Sequence, residues 1–281
     1  MSRGEPDPGG ATSPAGQPEN PLVVQSQVGR RTLLLGAVGV VAVAAVGVLR
    51  WRDSGLSYRD LAGLKPFREL VSDGGISTAS LAFAGLQGGP SDDEAQIEDR
   101  MTLARADLCG ALFGGASSTD VVPMAYFSDF NCPYCRVLEG EIDDVLAGDP
   151  GVHLVRHELP LLGDASVSAA KAVLAADLQG GYEVLKARIL RAGLITDAPY
   201  LRAVAGPLGL DAERLLAEME SEAVADRLLT SRALGRLFGL NGTPALIVGR
   251  TAILGSASAR TIGQVIRDER ATTGPVCGES L

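Results

Sequence analysis

Two cysteines three positions apart, Cys132 and Cys135, are the residues of this chain best suited to chemistry, and they stand in Phe127-Ser128-Asp129-Phe130-Asn131-Cys132-Pro133-Tyr134-Cys135. What such a pair can do depends on where the backbone puts it. Upstream, residues 121–127 are nearly all apolar, which suits a strand buried on both faces. Downstream, Leu138, Ile142, Val145 and Leu146 share one face of a helix that should stop at Gly148, ahead of Asp149-Pro150. Pro133 fits the first helical position, where a missing N–H costs nothing, and this puts Cys132 at the N-cap. There its sulfur meets the unpaired N–H groups of Tyr134 and Cys135 and the positive end of the helix dipole, both of which favour thiolate over thiol. Cysteines so placed titrate at about 3.5–7.5. Cys132 is therefore the candidate nucleophile. Cys135, one turn inside the helix and turned towards the protein, would close the disulfide or resolve a mixed one.

A Cys-x-x-Cys pair can also be half of a zinc site. Completing it would require Cys109 and Cys277, which are single and remote, or His153 and His157, which fall in an alternating stretch that reads as a strand. No second close pair with ligand spacing is present, so no metal is expected.

With these residues in view, the chain resembles the DsbA-like branch of the thioredoxin-fold thiol-disulfide oxidoreductases. The resemblance rests on Phe-x-Asp-Phe-Asn-Cys-Pro-Tyr-Cys at 127–135 and on Asn241-Gly242-Thr243-Pro244-Ala245-Leu246-Ile247-Val248, which looks like that family's Thr-cisPro loop entering a strand. It rests also on the long helix-period stretch between Cys135 and Pro244, similar to the family's inserted helical domain. It implies an α/β thioredoxin-like fold over residues 119–275 with a helical insertion at about 163–238. It implies further that Pro244 is cis beside the cysteines, with the Thr243 backbone receiving the substrate chain as an added strand. Pro133, Tyr134, Thr243 and Pro244 are the implied substrate-binding residues. No cofactor is implied, and a quinone-linked membrane partner would re-oxidise the pair.

The chain has 281 residues, 46% hydrophobic, with a net charge of −9, enough for one ordinary domain plus extensions. The acidic balance argues against nucleic acid as a partner. Residues 1–29, rich in Pro, Gly, Ser and Gln without apolar period, read as a disordered cytoplasmic tail. Residues 30–52 open on Arg30-Arg31 and carry an uncharged run at 32–49; eighteen residues make about 27 Å of helix, close to the thickness of a hydrocarbon core. The run reads as a twin-arginine-like signal or as an uncleaved anchor, the anchor being preferred. Arg30 and Arg31 face Arg50 and Arg52 across it, so charge does not orient it. The redox chemistry does: a disulfide donor needs an oxidising compartment, so the bulk of the chain is expected in the periplasm, membrane-anchored or free if the signal is cut.

Residues 53–118 read either as an extension packed on the catalytic domain or as a linker, with a short amphipathic helix at 56–70 and a second helix from about 92 to 113 opened by Ser91-Asp92-Asp93-Glu94. Cys109 in this stretch and Cys277 in the 276–281 tail bring the cysteines to four, and exported proteins seldom leave thiols free, so a structural Cys109–Cys277 disulfide is expected. Beyond the pair, a strand at 152–159, helices near 166–178, 182–191, 198–208, 211–220 and 223–238, a hairpin 245–254 about Gly249-Arg250 and a helix at 259–271 complete the reading.

The expected activity is donation of the Cys132–Cys135 disulfide to reduced or misfolded exported proteins. The alternatives are an isomerase or reductase of the same fold, or a non-catalytic thioredoxin-fold binding module. Residues 53–118 lack the alternating pattern that a dimerisation domain of isomerase type would need.

Overall fold

The computed structural model describes residues 55–71, 92–115, 121–272 and 276. The expectations for residues 1–29 and 30–52, and for Cys277, lie outside the described residues. Among those described, no helix is long and apolar enough to cross a membrane.

A six-stranded sheet organises the chain from Leu56 onward, in the order β1-β2-β6-β5-β3-β4. Its centre is β3 (Val122–Ser128), buried on both faces except at Ser128. The alternation of a strand assigns those faces. Val122, Met124 and Tyr126 point to one side, where they meet Leu138, Ile142 and Val145 of α3 (Pro133–Gly148) and Ile262, Val265 and Ile266 of α9 (Ala259–Ala271). Ala125 and Phe127 point to the other, into a cluster with Leu112 and Phe113 of α2 (Leu108–Phe113) and Leu234 and Leu237 of α8 (Glu222–Leu237). β4 (Val152–Glu158) runs parallel to β3; β5 (Ala245–Val248) runs antiparallel to it and pairs in turn with β6 (Thr251–Leu254). The parallel pair needs a crossover, and α3 supplies it, which leaves the Cys-x-x-Cys segment at the C-terminal end of β3.

Between β4 and β5 the chain departs into α4 (Asp164–Asp177), α5 (Tyr182–Arg191), α6 (Ala198–Ala205), a 3-10 turn (Gly206–Leu208), α7 (Ala212–Glu218) and α8. Asp197, Asp211 and Ser221 cap three of these helices through their side chains. The apolar stripes converge on a core of their own, which includes Ala169, Leu185, Leu201 and Leu215 and also takes Phe130 from the active-site loop.

Residues 56–70 are not a helix: they form β1 (Ser57–Asp60) and β2 (Arg68–Val71), an antiparallel pair that adds to the sheet through parallel pairing of β2 with β6. The reason is tertiary. Arg68 donates its N–H to the Arg250 carbonyl and its guanidinium to Thr251 and to the buried Glu269 of α9, and these partners override the weak helical period. The helix expected at 92–113 is two, α1 (Asp92–Ala106) and α2, divided at Asp107, whose carboxylate caps α2 by accepting from the Gly110 N–H. α1 lies along α8, with ion pairs Arg100–Asp226 and Glu94–Arg236. The linker reading therefore does not hold for the described part of this stretch.

Candidate active site

The backbone at the end of β3 sets the site. Pro133 is the first residue of α3 and Cys132 its N-cap, with the extended φ and ψ of that position. The Cys132 Sγ makes no capping hydrogen bond in the strict sense. Its thiol lies 3.3 Å from the Thr243 carbonyl, to which it donates when protonated. Thr243–Pro244 is a cis peptide and places that carbonyl just before β5. Residues far apart in sequence, 132–135 and 243–244, thus meet at one end of the sheet.

The two sulfurs are free thiols of opposite character. Cys132 is lowered to about 6, first by the hydrogen bond it receives from the Cys135 thiol, then by the Thr243 hydroxyl and the N–H groups of Cys135 and Tyr134, all against the cost of burial. Cys135 is pushed well above the ordinary thiol range, because its proton is the one that hydrogen-bonds to Cys132 and because it is buried. One proton held between two sulfurs produces this split, and it belongs to the pair. Cys132 is the sulfur that is thiolate at neutral pH, and Cys135 holds the proton.

Cys135 is buried, as its place one turn inside the helix requires, and Cys132 is buried with it, both at 4% exposure. Tyr134, in contrast, is 49% exposed, and Pro133 and Asn131 are exposed beside it. Cys109 lies elsewhere, on α2, and is disulfide-bonded. The partner expected for it, Cys277, lies outside the described residues. His153 and His157 are β4 residues, and His157 is buried with its Nε2 2.9 Å from the Leu112 carbonyl. No cluster able to hold a metal occurs among the described residues.

Three features went unread in the sequence. Asp129 is 2% exposed and its N–H points at the Cys135 Sγ. The Tyr126 hydroxyl donates to the Cys135 carbonyl at 2.9 Å from beneath the helix. Beside Cys135 a cavity of about 190 Å³, lined among others by Tyr126, Phe130, Tyr182 and Leu190, lies between α3 and α5. Next to it the buried Glu158 accepts from the Tyr182 hydroxyl, and burial raises its carboxyl to about 7. None of these partners is adjacent in sequence, so only the fold reveals them.

A family model described as the DSBA-like thioredoxin domain matches residues 124–267, a span holding both cysteines, the helical insertion and Thr243–Pro244. A thioredoxin-like oxidoreductase from Silicibacter pomeroyi DSS-3, known as a crystal structure, is 30% identical, with 58% of this chain and 98% of that chain covered at a TM-score of 0.51. The thiol-disulfide exchange protein alpha-DsbA2 from Wolbachia pipientis is 20% identical, with 64% and 99% covered at a TM-score of 0.47. A curated relative from Herminiimonas arsenicoxydans, named Na(+)/H(+) antiporter NhaA, is 33% identical over 149 residues, which are 52% of this chain. The chain spans only 24% of that relative's length.

Proposed function

Since the chain belongs to the DsbA-like thioredoxin-domain family of thiol-disulfide oxidoreductases, we propose that it donates the Cys132–Cys135 disulfide to exported client proteins. The observation that carries this reading is the geometry of the pair: the Cys132 Sγ at the N-terminus of α3, 3.3 Å from the Thr243 carbonyl, with Cys135 one turn behind it, an arrangement that lowers Cys132 to about 6. A stabilised thiolate favours the reduced form of the pair, and a pair whose reduced form is favoured gives its disulfide away. In the forward reaction a client thiolate attacks the Cys132 Sγ, the Cys132–Cys135 bond breaks, and Cys135 leaves with the electron pair and takes up a proton. A second client thiolate then attacks the client sulfur of the mixed disulfide. The client is oxidised by two electrons and Cys132 leaves as thiolate. The exposed Tyr134 and Pro133 and the Thr243 backbone are the surfaces the client meets.

The setting belongs to the same proposal. Residues 32–49 anchor or export the chain, the catalytic unit works in the periplasm, and a quinone-linked membrane partner restores the disulfide. The chemistry of a donor, which fails in a reducing compartment, supports the oxidising setting. The test is the reduction potential of the pair, measured against glutathione. A value near about −120 mV is expected, and one near about −270 mV would make the protein a reductant instead.

A further inference from the structure

Asp129 has every polar group committed. Its carboxylate accepts from the N–H of Asn131 at 2.7 Å, of Leu161 at 2.6 Å and of Leu162 at 2.9 Å, and from the Ser166 hydroxyl at 2.6 Å. Its carbonyl accepts from the Cys132 N–H at 3.1 Å, and its own N–H lies 3.5 Å from the Cys135 Sγ. The first contact closes an Asx turn within the active-site loop; the others reach across to the segment after β4 and to the first turn of α4. A carboxylate offers acceptors only, and here four donors converge on one at 2% exposure. The side chain therefore clamps the end of β3 to the start of the helical insertion, and the clamp fixes the direction of the N–H that faces Cys135.

We propose that Asp129 is a positioning residue for the resolving sulfur: its carboxylate holds the loop so that its backbone N–H stabilises negative charge on Cys135 when that sulfur attacks or leaves. The carboxylate acts through the loop and touches neither sulfur in the described contacts. Cys135, 4% exposed, has little water to stabilise its charge, so a fixed N–H counts for more there than at the surface. Asn at 129 would keep the volume but offer one acceptor oxygen and aim an NH2 at a ring of donors. The loop would turn to relieve this and take the N–H away from Cys135. Ser166→Ala removes a single donor of the four and should loosen the clamp by less.

The inference rests on Cys132 and Cys135 forming an exchange pair, and a reagent can replace the client in testing it. In the reduced full-length protein, Ellman's reagent is attacked by the Cys132 thiolate, which takes one thionitrobenzoate and releases the other. Cys135 then attacks the Cys132 Sγ: the Cys132–Cys135 bond forms, the bond to thionitrobenzoate breaks, the dye leaves as a coloured thiolate and the Cys135 proton passes to water. Stopped-flow absorbance resolves the two releases. Asp129→Asn should slow the second by about tenfold, the size of one hydrogen bond to a charged group. Ser166→Ala should slow it by about two- to threefold on the same scale, and the first release should change by less than about twofold in either variant. A merely structural role would leave the second release untouched in folded protein or slow both equally, and either result overturns the proposal. Should Asp129→Asn fail to fold, an unchanged second release in Ser166→Ala overturns it alone. A wild-type chain that oxidises no client protein, while the selective slowing is seen, keeps the positioning role and removes the client reading.

Discussion

Sulfur occurs in two settings in this fold, and the contrast between them explains why only one is reactive. Cys132 and Cys135 sit at a helix N-terminus amid oriented donors: the Thr243 hydroxyl, the N–H groups of Tyr134 and Cys135 at one sulfur, and the Asp129 N–H at the other. Cys109 sits on α2 beside Leu108, Leu112 and Phe113, in a cluster shared with Leu234 and Leu237 of α8 and with Val276 near the chain end. The first setting stabilises charge, so it lowers the cost of a thiolate. The second offers apolar contact and a covalent bond, and a bonded sulfur does not titrate. Burial alone does not separate them, since the redox pair is 4% exposed and still chemically poised. The orientation of nearby dipoles does.

The largest break of that contrast is the loss of a poised sulfur. Cys132→Ser should remove disulfide exchange altogether, by at least about a thousandfold in a reduced-peptide oxidation assay, because a hydroxyl is not appreciably ionised near neutral pH. Cys135→Ser should retain the first attack and accumulate mixed disulfides through Cys132; trapped client on residue 135 of the wild type would reverse the roles. Next comes pH. Cys132 falls from an ordinary 9.0 to about 6 on folding, so its thiolate stabilises the reduced folded form fully above about 9. That stabilisation is lost as pH drops through about 6. Iodoacetamide alkylation of Cys132 should be flat above about 7 and fall about tenfold per pH unit below 6. A midpoint near 9 would remove the lowered Cys132 on which the proposed function draws. A smaller effect is expected at Thr243, whose hydroxyl lowers both sulfurs. Thr243→Val should move the alkylation midpoint upward and slow alkylation at pH 6 by about two- to fivefold, a loss comparable to one hydrogen bond.

Much of the redox setting was legible before the fold was known, because its signals are local. Pro133 at the first helical position, the apolar run before it and the face Leu138-Ile142-Val145 are read within one stretch of chain, and the structure ends α3 at Gly148 where that pattern stops. The insertion helices were legible for the same reason, their apolar period and glycine breaks, while the caps Asp197 and Ser221 emerge only from the structure. What failed to show was long-range. β1 and β2 exist because Arg68 reaches Thr251 and Glu269, residues at the other end of the chain. The contact of Cys132 with the Thr243 carbonyl and the convergence of Leu161, Leu162 and Ser166 on Asp129 need loops that only tertiary packing brings together. A sequence pattern reports which face of an element is buried; it does not report which polar atom waits on the other side.

The smallest expected effect on exchange is at the second sulfur setting, and it sharpens the contrast most. Cys109 reports on the cluster formed by α2, α8 and the face of the sheet that carries Ala125 and Phe127, opposite the face covered by α3. Cys109→Ser removes the cross-link, frees unfolded-chain entropy and puts a hydroxyl among apolar neighbours, so a loss of about 2–4 kcal/mol in stability is expected by denaturant titration. Exchange rates of the folded fraction should stay within about twofold, because none of the donors at Cys132 and Cys135 lies on α2. The comparison requires both results together. Should Cys109→Ser slow ring closure by as much as Asp129→Asn, the two settings would be coupled through β3, and the cross-link would belong to the redox site and not merely to the scaffold beneath it.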